Sequence, residues 1–199
     1  MRKRIGCALM ISFFLLLCAC AEEKKPDAAQ KLQEEYQEIT ACECLAKVQW
    51  ESEKETECYT LQCAWVADGN CTVEVTEPEI LKGVRAEFDQ KELTLVYEDV
   101  SLAAGSMGEE LSPVNVLPMM MDAIRNGYIL EKGAEEYGGE KCARILFDVT
   151  NPQGEKTAYT VWFNAGHLPV YAEVRTKDRV CYKVAFSDFS AQETTGDDA

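Results

Sequence analysis

Much of this chain alternates less polar and more polar residues with a period of two, and this alternation limits its fold more than any other feature. In residues 42–51 the even positions are Cys42, Cys44, Ala46, Val48 and Trp50, while most odd positions carry charged or amide side chains. A period of two turns successive side chains to opposite faces of a strand. We therefore expect an antiparallel sheet with one apolar and one polar face.

The registers of successive hairpins test this expectation, because a slip of one residue would turn every apolar side chain to the wrong face. A turn at Glu53-Lys54 places Cys44 opposite Cys63 and Val48 opposite Tyr59. Later turns predict these pairs: Trp65 with Val73, Phe88 with Leu93, Ala86 with Leu95, Phe147 with Tyr159, Val161 with Ala172, Phe163 with Val170, and Val174 with Tyr182. About nine to eleven strands are expected.

Two segments follow a helical period instead. Leu32, Tyr36 and Ile39 recur on one helix face after Asp27, and Pro118–Asn126 is apolar and precedes Gly127, a typical C-cap. A large sheet with one solvent-exposed face must either curl or have its apolar face covered by helices. We expect an α+β fold in residues 27–190: a curved half-barrel capped by two or three helices. Residues 103–116 are expected to form a loop over the open side of the half-barrel. Residues 191–199 are expected to form a disordered acidic tail.

The N-terminus has the pattern of an export signal. Met1–Arg4 is basic, and Ile5–Leu17 is an apolar run of 13 residues, too short for a spanning helix. The following Leu17-Cys18-Ala19-Cys20 resembles the bacterial lipobox, whose final cysteine is lipidated and becomes the new N-terminus. We expect residues 1–19 to be a signal peptide, Cys20 to anchor the chain to the outer face of the cell membrane, and residues 20–26 to be a tether.

Composition excludes several classes of function. The formal charge is −15, and loss of the signal peptide leaves 17 basic against 35 acidic residues, a net charge of −18. Nucleic-acid binding requires the opposite sign. His167 is the single histidine and falls in a turn, so histidine-based catalysis is not expected. No nucleophile elbow or phosphate-binding glycine loop occurs, and we expect neither an enzyme nor a cofactor.

Seven cysteines remain after Cys20, so at least one is unpaired or intermolecular. The hairpin register brings Cys44 and Cys63 close enough for a disulfide, and buried free thiols are an equally open alternative. No C-x-x-C pair is present, and we expect no metal site. The seven are Cys42, Cys44, Cys58, Cys63, Cys71, Cys142 and Cys181.

The concave apolar face of the half-barrel is the remaining candidate site. Aromatic and methionine side chains adapt well to acyl chains, and the same residues also suit a dry core beneath the helices. Both alternatives remain open from the sequence. The expected lining is Trp50, Tyr59, Trp65, Phe88, Tyr97 and Phe163, with Met119, Met120 and Met121 from the second helix.

Three short elements resemble the LolA-like superfamily. They are Val75–Val84, with its Pro-Glu, Leu and Gly residues, Trp162–Val170, and Phe186–Phe189. Within that superfamily, a lipidated cysteine together with an apolar helix that begins at Pro118 and ends at Asn126-Gly127-Tyr128 is most similar to the spore germination lipoproteins of anaerobic Gram-positive bacteria. That resemblance implies a non-enzymatic protein that acts on the spore cortex through a cell-wall amidase partner. The superfamily also includes lipid and lipoprotein carriers. Resemblance to these carriers implies an alternative function, binding of an acyl ligand on the concave face.

Replacement of Cys20 by serine is expected to release the protein from membranes, because serine cannot form the thioether to the lipid. The measurement is the fraction of protein that sediments with membranes, together with the intact mass of the mature chain. Cys18→Ser is the matched control and should stay membrane-bound. Equal behaviour of the two variants would contradict the assignment of Cys20.

Overall fold

The computed structural model describes residues 27–52, 54–67, 70–90, 92–106, 111–150 and 154–193. The expected signal peptide, Cys20 and the tether lie outside these residues. These ranges contain two α-helices, α1 (Ala28–Glu38) and α2 (Val116–Asn126), and a short 3₁₀ helix at Glu79–Leu81. The strands are β1 (Ile39–Glu51), β2 (Thr56–Val66), β3 (Asn70–Glu77), β4 (Arg85–Asp89), β5 (Glu92–Tyr97), β6 (Val100–Ser106), β7 (Tyr128–Tyr137), β8 (Glu140–Thr150), β9 (Lys156–Phe163), β10 (Pro169–Thr176) and β11 (Arg179–Glu193).

All eleven strands form one curved, open antiparallel sheet, so the α+β fold class predicted from the sequence is confirmed. The strand order is β6-β5-β4-β3-β2-β1-β11-β10-β9-β8-β7. Two meanders, β1 to β6 and β7 to β11, are joined where β1 pairs with β11. Neither helix among the described residues is long and apolar enough to cross a membrane.

Most of the predicted hairpin registers are confirmed. Cys44 lies opposite Cys63 and Val48 opposite Tyr59. Two registers are wrong. Cys63 and not Trp65 faces Val73, because β3 is shifted by two residues, a shift that keeps every side chain on its expected face. The other pairs that agree are Phe88 with Leu93, Ala86 with Leu95, Phe147 with Tyr159, Val161 with Ala172, and Val174 with Tyr182.

The second wrong register lies between β9 and β10. Phe163 faces Pro169 and not Val170, because a bulge between Pro169 and Tyr171 adds one residue to β10. Two expected segment boundaries also need correction. Residues 103–106 belong to β6 and not to a loop, and β11 continues to Glu193, which lies opposite Ile39. The first three residues of the expected tail are therefore part of the sheet.

Helix α1 begins where its sequence predicts. Asp27 is the N-cap, and its carboxylate accepts hydrogen bonds from the backbone N–H groups of Ala29 and Gln30, while the Gln30 side chain accepts one from the Asp27 N–H. This reciprocal capping box satisfies donors that the first helical turn leaves unpaired. Leu32 and Tyr36 are buried on the face toward the sheet. The helix ends directly in β1, so its packing fixes the start of the central strand.

Helix α2 starts at Val116, two residues before the predicted start, and Gly127 is its C-cap as expected. Its end is held against α1 by Arg125, whose Nη1 donates to the carbonyl oxygens of Tyr36 at 3.0 Å and Ile39 at 2.6 Å. The same guanidinium lies 5.2 Å from the centre of the Trp65 ring. Arg125 thus satisfies carbonyl groups at the C-terminal end of α1 and connects both helices to β2.

Arg125→Met is expected to lower the free energy of unfolding by about 2 kcal/mol, because two charge-assisted hydrogen bonds to half-buried carbonyls are lost. Urea titration followed by circular dichroism measures the change. Arg85→Met is the matched control, since the exposed pair of Arg85 with Glu87 should contribute less than about 1 kcal/mol. Similar losses in both variants would contradict the structural role of Arg125.

Candidate binding surface

The concave face is filled where the sequence predicted a possible cavity. Five of the nine expected lining residues are buried in the hydrophobic core and three pack against it in partly buried positions, while Tyr97 stays 48% exposed. The buried five are Trp65, Phe88, Met120, Met121 and Phe163, and the partly buried three are Trp50, Tyr59 and Met119.

The two helices fill this face. Met120 and Met121 of α2 are fully buried, and the ring of Tyr36 on α1 meets Phe163 edge-on at 5.5 Å. Open clefts of about 320 Å³ and about 270 Å³ lie elsewhere, beside the end of α2 and beside the β9–β10 turn, and polar residues such as Asp122 and His167 contribute to their walls. Neither cleft has the apolar enclosure typical of an acyl-chain pocket.

Beyond the helices, the apolar concave face continues into solvent. Leu93 is buried opposite Phe88, and the same face of β5 runs on through Leu95 to Tyr97. Tyr97 pairs with Val100, which is 68% exposed, and Leu95 pairs with Leu102, which is 63% exposed. These side chains share the orientation of the core residues, but neither helix of the described residues covers them.

The 3₁₀ segment Glu79–Leu81, which leads into β4, exposes two more apolar side chains. Ile80 is 87% exposed and Leu81 is partly exposed. Gly83, at a φ of +84°, brings this segment beside Tyr97, since a Cβ at Gly83 would be in ordinary van der Waals contact, 3.9 Å from the Tyr97 Cε2 atom. We call the surface formed by Tyr97, Val100 and Leu102, with Ile80 and Leu81 on the adjoining 3₁₀ segment, the apolar shelf. Exposed apolar groups gathered in this way mark protein or lipid contacts.

Sequence reasoning identified only Tyr97 of the apolar shelf. Ile80 and Leu81 were part of the family-like stretch, where they indicated fold and not exposure. Val100 and Leu102 alternate with Ser101 and Ala103, a signal typical of a strand. The uncharged run from Val100 to Ser106 was the further clue, because a strand without charges at a sheet edge is unusual.

Four thiols lie in one layer of the core on β1, β2 and β3. Cys42, Cys44, Cys63 and Cys71 are all buried and are free thiols in the structure. A hydrogen bond with Cys44, and then burial, hold the pKa of Cys63 well above its usual value. Burial, and then the nearby Cys44, raise the pKa of Cys71 to about 12. The thiols of Cys63 and Cys71 therefore stay protonated near neutral pH and are poor nucleophiles.

Within the described residues, the polar side chains of His167 and Tyr59 do not form a reactive site. His167 lies in the β9–β10 turn, exposed, with its Nδ1 2.5 Å from the carboxylate of Glu35. Burial, and then the Glu57 carboxylate, raise the pKa of Tyr59 to about 12. Across the described ranges, no three His, Cys, Asp or Glu side chains are arranged to hold a metal ion.

Solved structures share this architecture at low sequence identity. A LolA superfamily protein from Nitrosomonas europaea matches with a TM-score of 0.51 and 13% identity, over 84% of this chain and 95% of that one. An uncharacterized conserved protein from Thermus thermophilus gives a TM-score of 0.50 and 14% identity, over 85% and 90%. No protein-family model and no curated protein matches the sequence. The chain therefore has a LolA-like fold, as the sequence resemblance predicted.

In reduced native protein at pH 8, iodoacetamide is expected to modify Cys58 and to spare the four-thiol layer, because Cys58 is exposed. Peptide mass mapping measures this, with urea-unfolded protein as the fully reactive control.

In protein made under oxidising conditions, we predict a disulfide between Cys44 and Cys63, because these two residues lie directly opposite each other on β1 and β2. Equal alkylation of Cys71 and Cys58, or an unlinked Cys63 after oxidation, would contradict the respective prediction.

Proposed function

We propose that this chain is a non-enzymatic binding protein of the cell envelope, anchored through lipidated Cys20, whose apolar shelf contacts an envelope protein. The observation that carries the proposal is the contrast within one face of the sheet. The concave face is filled under α2, with Met120 and Met121 fully buried, yet it is bare at Tyr97, Val100 and Leu102.

The shape of the apolar shelf favours a protein partner over a small ligand. Small-molecule sites enclose most of the ligand surface, whereas this surface is open and lies at a sheet edge. Burial of exposed Ile80, Val100 and Leu102 by a second protein gains about 25 cal/mol per Å² of apolar area. A few large apolar anchors of this kind supply most of the binding energy of many interfaces.

Charge supports a partner other than the lipid surface. The exported chain carries a net charge of −18, which repels anionic headgroups and keeps a tethered domain in solution. Exposed carboxylates at Glu98 and Asp99 lie in the turn between β5 and β6, beside the apolar shelf. An apolar contact beside these acids suits a protein with an apolar patch and basic neighbours.

The proposed partner class is a cell-wall amidase that acts in sporulation or germination. This part of the proposal rests on the resemblance of the lipobox at Cys20, and of the apolar helix that begins at Pro118 and ends at Asn126-Gly127-Tyr128, to spore germination lipoproteins. The LolA-like fold is compatible with it and does not determine it, because a fold hosts many functions.

A second candidate function is binding of an acyl chain from a lipid or lipoprotein. The methionines of α2 favour it, since Met119 is only partly buried and methionine side chains repack easily around apolar ligands. An acyl chain would then lie along the apolar shelf.

A photo-crosslinking amino acid at position 102 of the full-length protein is expected to capture an envelope protein in the cells that make it. The same amino acid at position 130 is the matched control, because Leu130 is 52% exposed but lies on β7, at the opposite edge of the sheet. Mass spectrometry identifies the adducts, and Leu102→Asp should weaken the complex roughly tenfold or more.

Three results would count against the proposal. Equal crosslinking from positions 102 and 130 would show non-specific contact. Lipid adducts at position 102 without protein would favour the acyl-chain candidate. A partner other than an amidase would refute the partner class and leave the binding surface in place.

A further inference from the structure

We infer that β6 is a strand-addition edge that accepts an extended, basic segment of the partner through backbone hydrogen bonds. The inference rests on the proposed function only in naming the partner, and it specifies how that partner is recognised. A strand at a sheet edge presents a row of unpaired N–H and C=O groups to any extended chain.

The two edges of the sheet differ sharply. Within the described residues the sheet ends at β7 on one side and at β6 on the other. The β7 edge is charged: Glu131 and Glu135 pair with Arg144, and Lys132 pairs with Asp27 at the start of α1. Charges and a covering helix are devices that prevent strand addition. The β7 edge is therefore protected against pairing with another chain.

Within the part of the chain that the structure describes, the β6 edge lacks these devices. Its sequence, VSLAAGS, carries no charge and no proline, and Val100 to Gly105 are exposed. The ladder with β5 pairs Val100 with Tyr97 and Ala103 with Thr94, and Gly105, at a φ of +89°, lies at the irregularity that follows. A regular edge from Val100 to Ala103 therefore faces outward, long enough for a short added strand.

An added strand would extend the apolar shelf. Alternate side chains of that strand would lie beside Val100 and Leu102 on the concave side, and the others beside Ser101 and Ala103. The recognised segment therefore alternates apolar and small polar residues. Backbone bonding supplies affinity in such complexes, while the alternate side chains supply specificity.

Acidic residues lie at both ends of β6 and favour a positively charged segment as the added strand. Glu98 and Asp99 form the turn before Val100, and Glu92 lies opposite Ser106 at the other end. A second copy of β6 would bring acids against acids in either strand direction, which opposes self-pairing. A segment with lysine or arginine at its ends matches this arrangement.

The test uses the full-length protein and a synthetic peptide of alternating valine and threonine with lysines at both ends. Binding is measured by fluorescence anisotropy, and amide hydrogen exchange should show protection of Val100–Ala104 in the complex. Ala103→Lys should weaken binding roughly tenfold or more, because it places a like charge at the edge. Thr94→Lys is the matched control, because Thr94 lies on β5 directly opposite Ala103 and away from the edge. It should change binding less than about twofold.

Equal weakening by the two lysine variants, or no weakening by Ala103→Lys, would overturn the inference. Equal binding of a glutamate-flanked peptide would refute the basic occupant, and a β6-dependent dimer in sedimentation would assign the edge to a second copy. The two proposals fail separately. Crosslinking at position 102 with no peptide binding removes only strand addition, whereas peptide binding without cellular crosslinks removes only the proposed function.

Discussion

The pairing of β1 with strands on both sides is the constraint on which this architecture depends. Along β1, positions from Ile39 to Trp50 pair with β11, and positions from Ala41 to Glu51 pair with β2. The β11 ladder joins residues more than a hundred positions apart, as Ile39 opposite Glu193 shows, so its formation closes a long loop. Each meander alone would be a sheet with an apolar face exposed. Joined through β1, the two meanders curve around the same core.

The core over this central ladder explains why the concave face cannot remain empty. Ala46 and Val48 on β1 are small and fully buried, so space above them must be filled from the other side. Tyr36, Met120 and Ile124 fill it from the helices. A void of that size would cost the contacts of every side chain around it. The helices end before β5 and β6, and there the apolar face is exposed.

Much of the fold could be predicted because local patterns and pairing agree. The turn expected at Glu53-Lys54 predicted the pairing of Cys44 with Cys63 that the structure shows, since a slip of one residue would have exposed the core face. The same logic could not detect the shift of two residues between β2 and β3, because alternation is unchanged by it. The bulge near Tyr171 was not predicted for a different reason, because bulges depend on strand curvature more than on composition. The candidate site was harder to predict, because Leu102 and Phe88 have similar side chains and differ in whether a helix covers them.

The contact of Lys132 with Asp27 bears on the orientation that the proposed lipid anchor would give the molecule. It places the beginning of α1 at the β7 edge, while β6 closes the far edge of the same sheet. Eleven strands at about 4.8 Å apart span on the order of 50 Å along the sheet, and seven residues of chain, from Cys20 to Pro26, reach about 25 Å at most. An anchor at Cys20, as proposed, would therefore hold the charged β7 edge next to the lipid. The uncharged β6 edge would then face away from the membrane, where a partner could reach it.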